Sequence, residues 1–529
     1  MKFLSSIGLS SPPETRLVLS SPGPETNLRT IKTAARARTN RPKQQPLNVQ
    51  EFTKSKSISS PSGARPHRMR YWPIIVVMAA LAGCARFQSQ PISPEKTFTD
   101  FDARSLTNEE LHTFLETNQV IAEWPCPRWD LNALTFAAFY YQPALAEARA
   151  QLASVRAAEI TAGERPNPSV SLTPTYDTTT SPPWIPGVSF DIPIETAGKR
   201  GKRIAQAVFT SEAAKWHFVS TEWEVRGKVR ASLLNLRIAR ENEALLGRAE
   251  LAQSNVVRLL QGQLSAGVIS SFEVTQARVA LETTQLSRQD AIAQLRQGRV
   301  QLAGVLGLPS RALEGIELDY TTLEKLPMDL TAPEIRREAV LHRADIRAAL
   351  AEYAASQSAL QLEIAKQYPD VHLSPGYELD QTDNKWTLGL TVDLPVLNQN
   401  QGAIAEAKAK RSEAAAHFLT VQANAISEID SALAGYDAAL QKSGIAKTLL
   451  EDLQKQLDSV RAQARLGEAD ALALANAEVS YYAGAQNQLD ALAKAQQALG
   501  ELEGAAQSPL TFSMDSVRMA KDQVPGTKK

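Results

Sequence analysis

The feature that most constrains this chain is that it is written twice. Gln142-Pro143-Ala144-Leu145 is answered by Ala344-Asp345-Ile346-Arg347, and Arg165-Pro166-Asn167-Pro168-Ser169-Val170 by Gln367-Tyr368-Pro369-Asp370-Val371. Phe190-Asp191-Ile192-Pro193-Ile194 is answered by Val392-Asp393-Leu394-Pro395-Val396, and Ser265-Ala266-Gly267 by Arg465-Leu466-Gly467. The spacing stays between 200 and 202 residues across all four matches. A register kept over so long a stretch marks a duplicated structural unit, so the 529 residues need not be divided into several compact domains.

Inside each half, two segments alternate apolar and small polar residues with a period of two. They lie near 168–177 and 185–194 in the first half, and near 370–379 and 385–394 in the second. Val170 and Leu172 alternate with Ser169 and Ser171, and Trp386, Leu388, Leu390 and Val392 alternate with Thr387, Gly389 and Thr391. This pattern predicts strands of about ten residues, long enough to cross a bilayer when tilted, with one face apolar and one suited to water. A soluble hairpin on a core would give the same alternation, but no further strands are written nearby to complete a sheet.

The remainder of each half reads as helix, rich in Ala, Leu, Glu, Gln, Lys and Arg and almost free of breakers. Ala197–Ser265 and Gln401–Leu466 would each run about 100 Å at 1.5 Å per residue. The flanking helices predicted over 131–164 and 268–306, and over 334–367 and 468–506, are about half as long, so two stacked end to end match one long helix. The expected fold is therefore mainly α with a small β portion, built from duplicated long α-helical hairpins. Four strands cannot close a barrel, and an open edge is not tolerated in lipid. Two chains would supply eight strands and a filled interior, three would supply twelve and leave a passage, and a conduit argues for three.

Charge and cysteine usage locate a join. Residues 1–68 hold 12 Lys/Arg and 3 Asp/Glu, so the neutral total of 57 against 57 leaves the rest of the chain with 45 against 54. That leading stretch lacks apolar periodicity and is read as a start placed too far upstream or a disordered arm. Residues 69–83 then read as a secretory signal: Met69-Arg70 opens it, Ile74 to Leu81 form a short apolar core, and Leu81-Ala82-Gly83 precede Cys84. The apolar core is too short to span a bilayer. The second cysteine, Cys126, lies between prolines, and two cysteines exclude a disulfide scaffold or a zinc-finger array.

Leu81-Ala82-Gly83-Cys84 resembles the bacterial lipoprotein signal, which implies acylation of Cys84. The assembled chain resembles the TolC-like outer membrane efflux family over 131–506. The marks are Asn167-Pro168, the strand exits Asp191-Ile192-Pro193 and Asp393-Leu394-Pro395, and the hairpin turns at Gly267 and Gly467. The run Pro193-Ile194-Glu195-Thr196-Ala197-Gly198-Lys199-Arg200-Gly201-Lys202-Arg203 is similar to the strand-to-helix segment of the cobalt–zinc–cadmium resistance type. The resemblance implies a homotrimer with a trimeric α-barrel and a 12-stranded transmembrane β-barrel. It also implies a periplasmic adaptor and an inner-membrane pump of the resistance-nodulation-division type as partners. The expected role is export of heavy-metal cations; drug efflux or type I protein secretion would use the same fold, and a coiled-coil lipoprotein without a pore is the alternative of another class.

On that resemblance the organisation is a mature N-terminal segment at 84–130, a first repeat at 131–309, a linker at 310–333, a second repeat at 334–506 and a tail at 507–529. The helix tips carry the candidate docking or gating residues Gly267, Ser271, Glu273, Arg465, Gly467, Glu468 and Asp470, with Arg258 nearby. Members of the family often carry paired aspartates in the second tip, where this chain has Ala473 and Asn476. Lys199, Arg200, Lys202 and Arg203 are read as a basic collar at the membrane interface, or as a solvated helix start. No phosphate loop, metal-ligand spacing or nucleophile motif appears, so no enzymatic activity and no cofactor are expected. Nucleic-acid binding is not expected either, because no aromatics interleave with the basic residues.

Overall fold

The computed structural model describes residues 87–510 except Ala122 and Asp329. The readings placed on 1–68, the signal segment 69–83, Cys84 and the tail beyond 510 lie outside the described residues. All the helices and strands named below belong to the unit that begins at Gln90.

The long helices form as the sequence pattern predicts. The first, α5 (Lys199–Ser265), is 67 residues, and its counterpart α9 (Gln401–Leu466) is 66. Both start after a left-handed residue, Gly198 at φ 67° and Asn400 at φ 61°. Asn400 holds its turn by donating from Nδ2 to the Glu363 carbonyl at 2.8 Å. The helices that follow each long one, α6 (Ser271–Leu306) and α10 (Ala471–Ala506), are 36 residues apiece.

The flanking helices that precede them depart from the sequence reading. The continuous helix expected over 131–164 is two, α3 (Leu131–Tyr141) and α4 (Pro143–Gly163), and 334–367 divides into α7 (Ala332–His342) and α8 (Ala344–Ala365). Pro143 explains the first break, since a proline is tolerated at the first position of a helix but not inside one. The second break has no proline. There, Arg343 donates to the Ala505 carbonyl at 2.7 Å and pairs with Asp345 and Glu428, holding an extended ψ of 134°. Gln142 makes the corresponding contact in the first half, from Nε2 to the Val305 carbonyl at 2.8 Å.

Contacts between helices set the order of the tracks. Helix α4 packs on α5, α5 on α8, and α8 on α9; farther along, α6 packs on α5, α5 on α10, and α10 on α9. The stacked pair α4 and α6 thus flanks α5, and the pair α8 and α10 lies between α5 and α9. The two halves are joined by a buried polar cluster where α5 meets α10. Arg230, 4% exposed, donates to the Gln496 carbonyl at 2.7 Å and its side-chain oxygen at 2.9 Å. Arg226 and Arg230 both pair with Glu503, at 3.1 and 3.3 Å. Burial lowers the Arg230 pKa, and the Glu503 carboxylate opposes it. A charge this deep is tolerated because it is both paired and hydrogen-bonded.

Two apolar clusters sit beside these tracks. One gathers α2 (Glu109–Thr117), α3 and the linker, with Leu111, Leu115, Trp129, Leu134, Leu306, Leu308 and Leu323 in its interior. The Trp129 carbonyl and amide bond to Asp319 and Glu317 of the linker, both at 2.9 Å. The other packs α7 and α10 around Ile429 and Tyr436, whose hydroxyl donates to the Pro327 carbonyl at 2.8 Å. A short helix, α1 (Pro94–Asp102), precedes them and buries no residue.

The strands form one antiparallel sheet in the order β1 (Ser169–Leu172), β4 (Gly187–Ile194), β5 (Val371–Asp380), β6 (Asp383–Val392). The first-half strands are less regular than their alternation suggests. Pro174 and Pro186, which cannot donate to a ladder, split off the short pair β2 (Thr175–Tyr176) and β3 (Trp184–Ile185). In the second half the hairpin closes fully, from Val371 opposite Val392 to Asp380 opposite Asp383.

Candidate functional site

The sheet separates its side chains by face. In-register pairs Val170–Phe190, Leu172–Val188, Val188–Tyr377 and Ile192–Leu373 lie on one side. Leu373–Leu390, Pro375–Leu388 and Tyr377–Trp386 continue that side across the second hairpin. The other side carries Ser171–Ser189, Ser189–Gly376, Ser374–Gly389 and Gly376–Thr387. Much of the apolar side is left uncovered by the described residues: Leu172 is 75% exposed, Trp386 79% and Leu388 74%. Contiguous apolar surface of this kind is rare on a soluble monomer. Among the described residues the outer edges of β1 and β6 have no strand partner.

On the polar side, His372 Nδ1 lies 3.0 Å from Asp191 Oδ2, and Ser374 Oγ donates to the same carboxylate at 3.4 Å. Each is on a neighbouring strand, so alternation alone brings them together.

Where the sheet feeds the helices, the four basic residues have different fates. Lys199, 10% exposed at its side chain, pairs with Asp370 at 2.8 Å. Burial pushes the Asp370 pKa up, but the Lys199 ammonium and the Thr196 N–H outweigh it and hold the carboxyl below its ordinary value. Arg200 donates from Nε to the Gly163 carbonyl at 2.6 Å. Arg203 pairs with Glu195 at 2.7 Å, which raises its pKa, and it also donates to the Ala162 and Glu164 carbonyls. Lys202 has no side-chain hydrogen bond or ion pair among the described residues and borders an open groove. Three of the four cations thus fasten α5 to the ends of α4 and α8, a role that sequence spacing does not reveal.

At the far end, both hairpin turns close in the same way. Gly267 at φ 75° and Gly467 at φ 79° follow the long helices in the left-handed region that favours glycine. Val268 N–H bonds back to the Gln263 carbonyl and Glu468 N–H to the Gln463 carbonyl, both at 2.9 Å. Asp470 caps α10 by accepting from Ala473 N–H at 2.6 Å. Ser271 and Glu273 occupy the first turn of α6, and Arg465 the last turn of α9. Arg258, Glu273, Arg465 and Glu468 are exposed and form no ion pair among the described residues. The tips are held together farther in by Val256, Val257, Ala277 and Ala475.

One constellation escaped the sequence reading. His217 of α5 lies 2.9 Å from Glu352 of α8, and His417 of α9 lies 3.9 Å from the same carboxylate. The three are far apart in sequence and meet only because α8 runs between α5 and α9. No group of three or more His, Cys, Asp or Glu side chains among the described residues is placed to hold a metal ion. No described helix is long and apolar enough to cross a membrane.

Residues 139–308 and 335–506 match the outer membrane efflux protein family. The cobalt-zinc-cadmium resistance protein CzcC of Cupriavidus metallidurans is 28% identical over 232 residues, spanning 43% of this chain and 54% of that protein. The chain thus spans about half the length of this curated relative. Among solved structures, the outer membrane protein VceC of Vibrio cholerae superposes with a TM-score of 0.59 at 19% identity, covering 72% of this chain and 96% of that one. The MtrE outer membrane channel of Neisseria gonorrhoeae, solved in its open state, gives 0.58 at 17% identity, covering 72% and 89%.

Proposed function

The chain belongs to the outer membrane efflux protein family, and from that premise we propose that it is the outer-membrane channel subunit of a tripartite efflux system. The observation that carries the reading is the sheet: an apolar face largely uncovered, backed by a small, polar face, with both edges unpaired among the described residues. Lipid is the solvent that suits the first face and water the second. Three copies joined edge to edge would give twelve strands and a wet lumen, and the helical tracks would continue that lumen into the periplasm as an α-barrel. Energy would come from an inner-membrane pump of the resistance-nodulation-division type, coupled through a periplasmic adaptor that meets the hairpin tips. Gly267, Ser271, Glu273, Arg465, Gly467, Glu468 and Asp470 are the tip residues open to docking or gating. Cys84 is the proposed lipid anchor.

Heavy-metal cations are the proposed substrate. The likeness to a cobalt-zinc-cadmium resistance protein supports this class, and removal of residues 1–83 leaves 44 basic and 54 acidic residues, a surplus that would favour cations where it lines the lumen. The test is export itself. Cells deprived of this protein should accumulate zinc, cobalt or cadmium and lose tolerance to them, with recovery on return of the full chain. Unchanged metal tolerance with raised drug sensitivity would replace the substrate class and keep the channel.

A further inference from the structure

The groove beside Lys202 has a composition that the channel reading does not use. It is an open cavity of about 630 Å³ between the start of α5 and the end of α8, lined by Thr196, Lys202, Ile364, Ala365, Tyr368 and Pro369. It begins at the foot of the sheet. Ile194 and Val371 are an in-register pair on the apolar face and close the ladder there. Two residues beyond each stand Thr196 and Pro369, bonded to one another from Oγ1 to carbonyl at 2.6 Å. The groove therefore starts within two residues of the apolar face.

The groove also lies on the seam between α5 and α8, so edge-to-edge joining of further copies through β1 and β6 leaves it uncovered. Its floor is apolar, with Ile364 still 40% exposed, and Tyr368 at its rim is 61% exposed. Lys202 is the cation of this segment left without a side-chain partner among the described residues, since Lys199, Arg200 and Arg203 are engaged within the chain. An apolar floor at the foot of the apolar face, a phenol at its edge and an ammonium unpartnered among the described residues match an amphiphile with an anionic head.

We propose that this groove is a binding site for a phospholipid of the periplasmic leaflet, with Lys202 holding the headgroup phosphate and Ile364, Ala365 and Tyr368 bordering the upper acyl chain. The inference rests on the reading that the sheet crosses the membrane. It assigns the collar role to Lys202 and gives the other three cations a structural one.

The test is native mass spectrometry of the purified full-length chain released from nanodiscs of phosphatidylglycerol and phosphatidylcholine, with conductance measured on the same preparations. The expected result is retained phosphatidylglycerol on the wild type. Lys202→Met should reduce it about fivefold, the equivalent of roughly 1 kcal/mol for one cation at an anionic surface. Lys202→Glu, which reverses the charge, should give a larger loss, and Lys442→Glu, at an exposed site on α9, none. Channels that conduct but retain no lipid, or retain it equally with Lys202→Glu, would overturn this site and leave the channel standing. Absence of both conductance and lipid would overturn the channel reading itself.

Discussion

The Lys199 ammonium lies 2.8 Å from the Asp370 carboxylate and joins the first residue of α5 to the turn that leaves α8. The contact ties the first half of the duplicated chain to the second at the level where strands become helices. Asp370 also accepts from Thr196 N–H at 2.8 Å, so one carboxylate fixes both the strand exit and the helix start.

Replacing Asp370 by Asn should leave a buried ammonium without its counter-charge and cost on the order of 3 kcal/mol. A lowered melting temperature in detergent, with a wild-type circular dichroism spectrum at low temperature, checks this. The folded carboxyl has a pKa below its ordinary value of 3.8, so its stabilisation is present above that value and lost as pH falls through the folded one. The deficit of Asp370→Asn against wild type should accordingly shrink only in strong acid.

Glu222 of α5 behaves in the opposite sense. Burial raises its pKa to about 7, with Arg149 acting against the rise. Between the ordinary value of 4.5 and about 7 the folded state binds the extra proton, so stability should fall as pH rises through that window and level off above it. Glu222→Gln should flatten this part of the curve and be the more stable protein at pH 8, by at most about 3 kcal/mol. Melting temperatures from pH 5 to 8 decide it.

The helix breaks at 142 and 343 are closed by different chemistry, which separates two substitutions. Gly307 ends α6 at φ 75°, and a Cβ there would lie 2.8 Å from the Tyr141 carbonyl oxygen. Gly307→Ala should destabilise by more than about 1 kcal/mol, through strain and collision together. Gln507 ends α10 in the same left-handed region, and its side-chain oxygen accepts from Ala344 N–H at 2.7 Å. Gln507→Gly should lose that bond alone, about 1 kcal/mol. Thermal denaturation of the pair gives the ranking.

Asp470 tests the tip locally. Removing its cap by Asp470→Ala should cost about 1 kcal/mol of helix start, and amides at the beginning of α10 should exchange about fivefold faster with no change at α5. Hydrogen exchange resolved by peptide reads both at once.

Much of this fold was legible because its signals are local and repeated. The two long helices carry unbroken propensity, and their limits in the structure fall within two residues of the sequence reading at Lys199, Ser265, Gln401 and Leu466. The β alternation survives wherever proline does not interrupt it. The break at Gln142 has a local signal in Pro143, but the one at Arg343 was not legible, since Arg343 is a good helix former whose conformation is fixed by Ala505, Asp345 and Glu428. The same holds at the sheet–helix junction. A run of four cations reads as a charged surface, and only the packing of α4 and α8 against α5 engages Lys199, Arg200 and Arg203 while leaving Lys202 exposed to the groove. His217, Glu352 and His417 could not be grouped in advance for the same reason.

The central claim is that copies of this chain close their open sheets into a water-filled barrel across the outer membrane. Single-channel recording in planar lipid bilayers tests it most directly. Purified full-length protein should insert and give discrete, repeatable conductance steps. Protein that is folded by circular dichroism yet gives no conductance at any voltage would contradict the account.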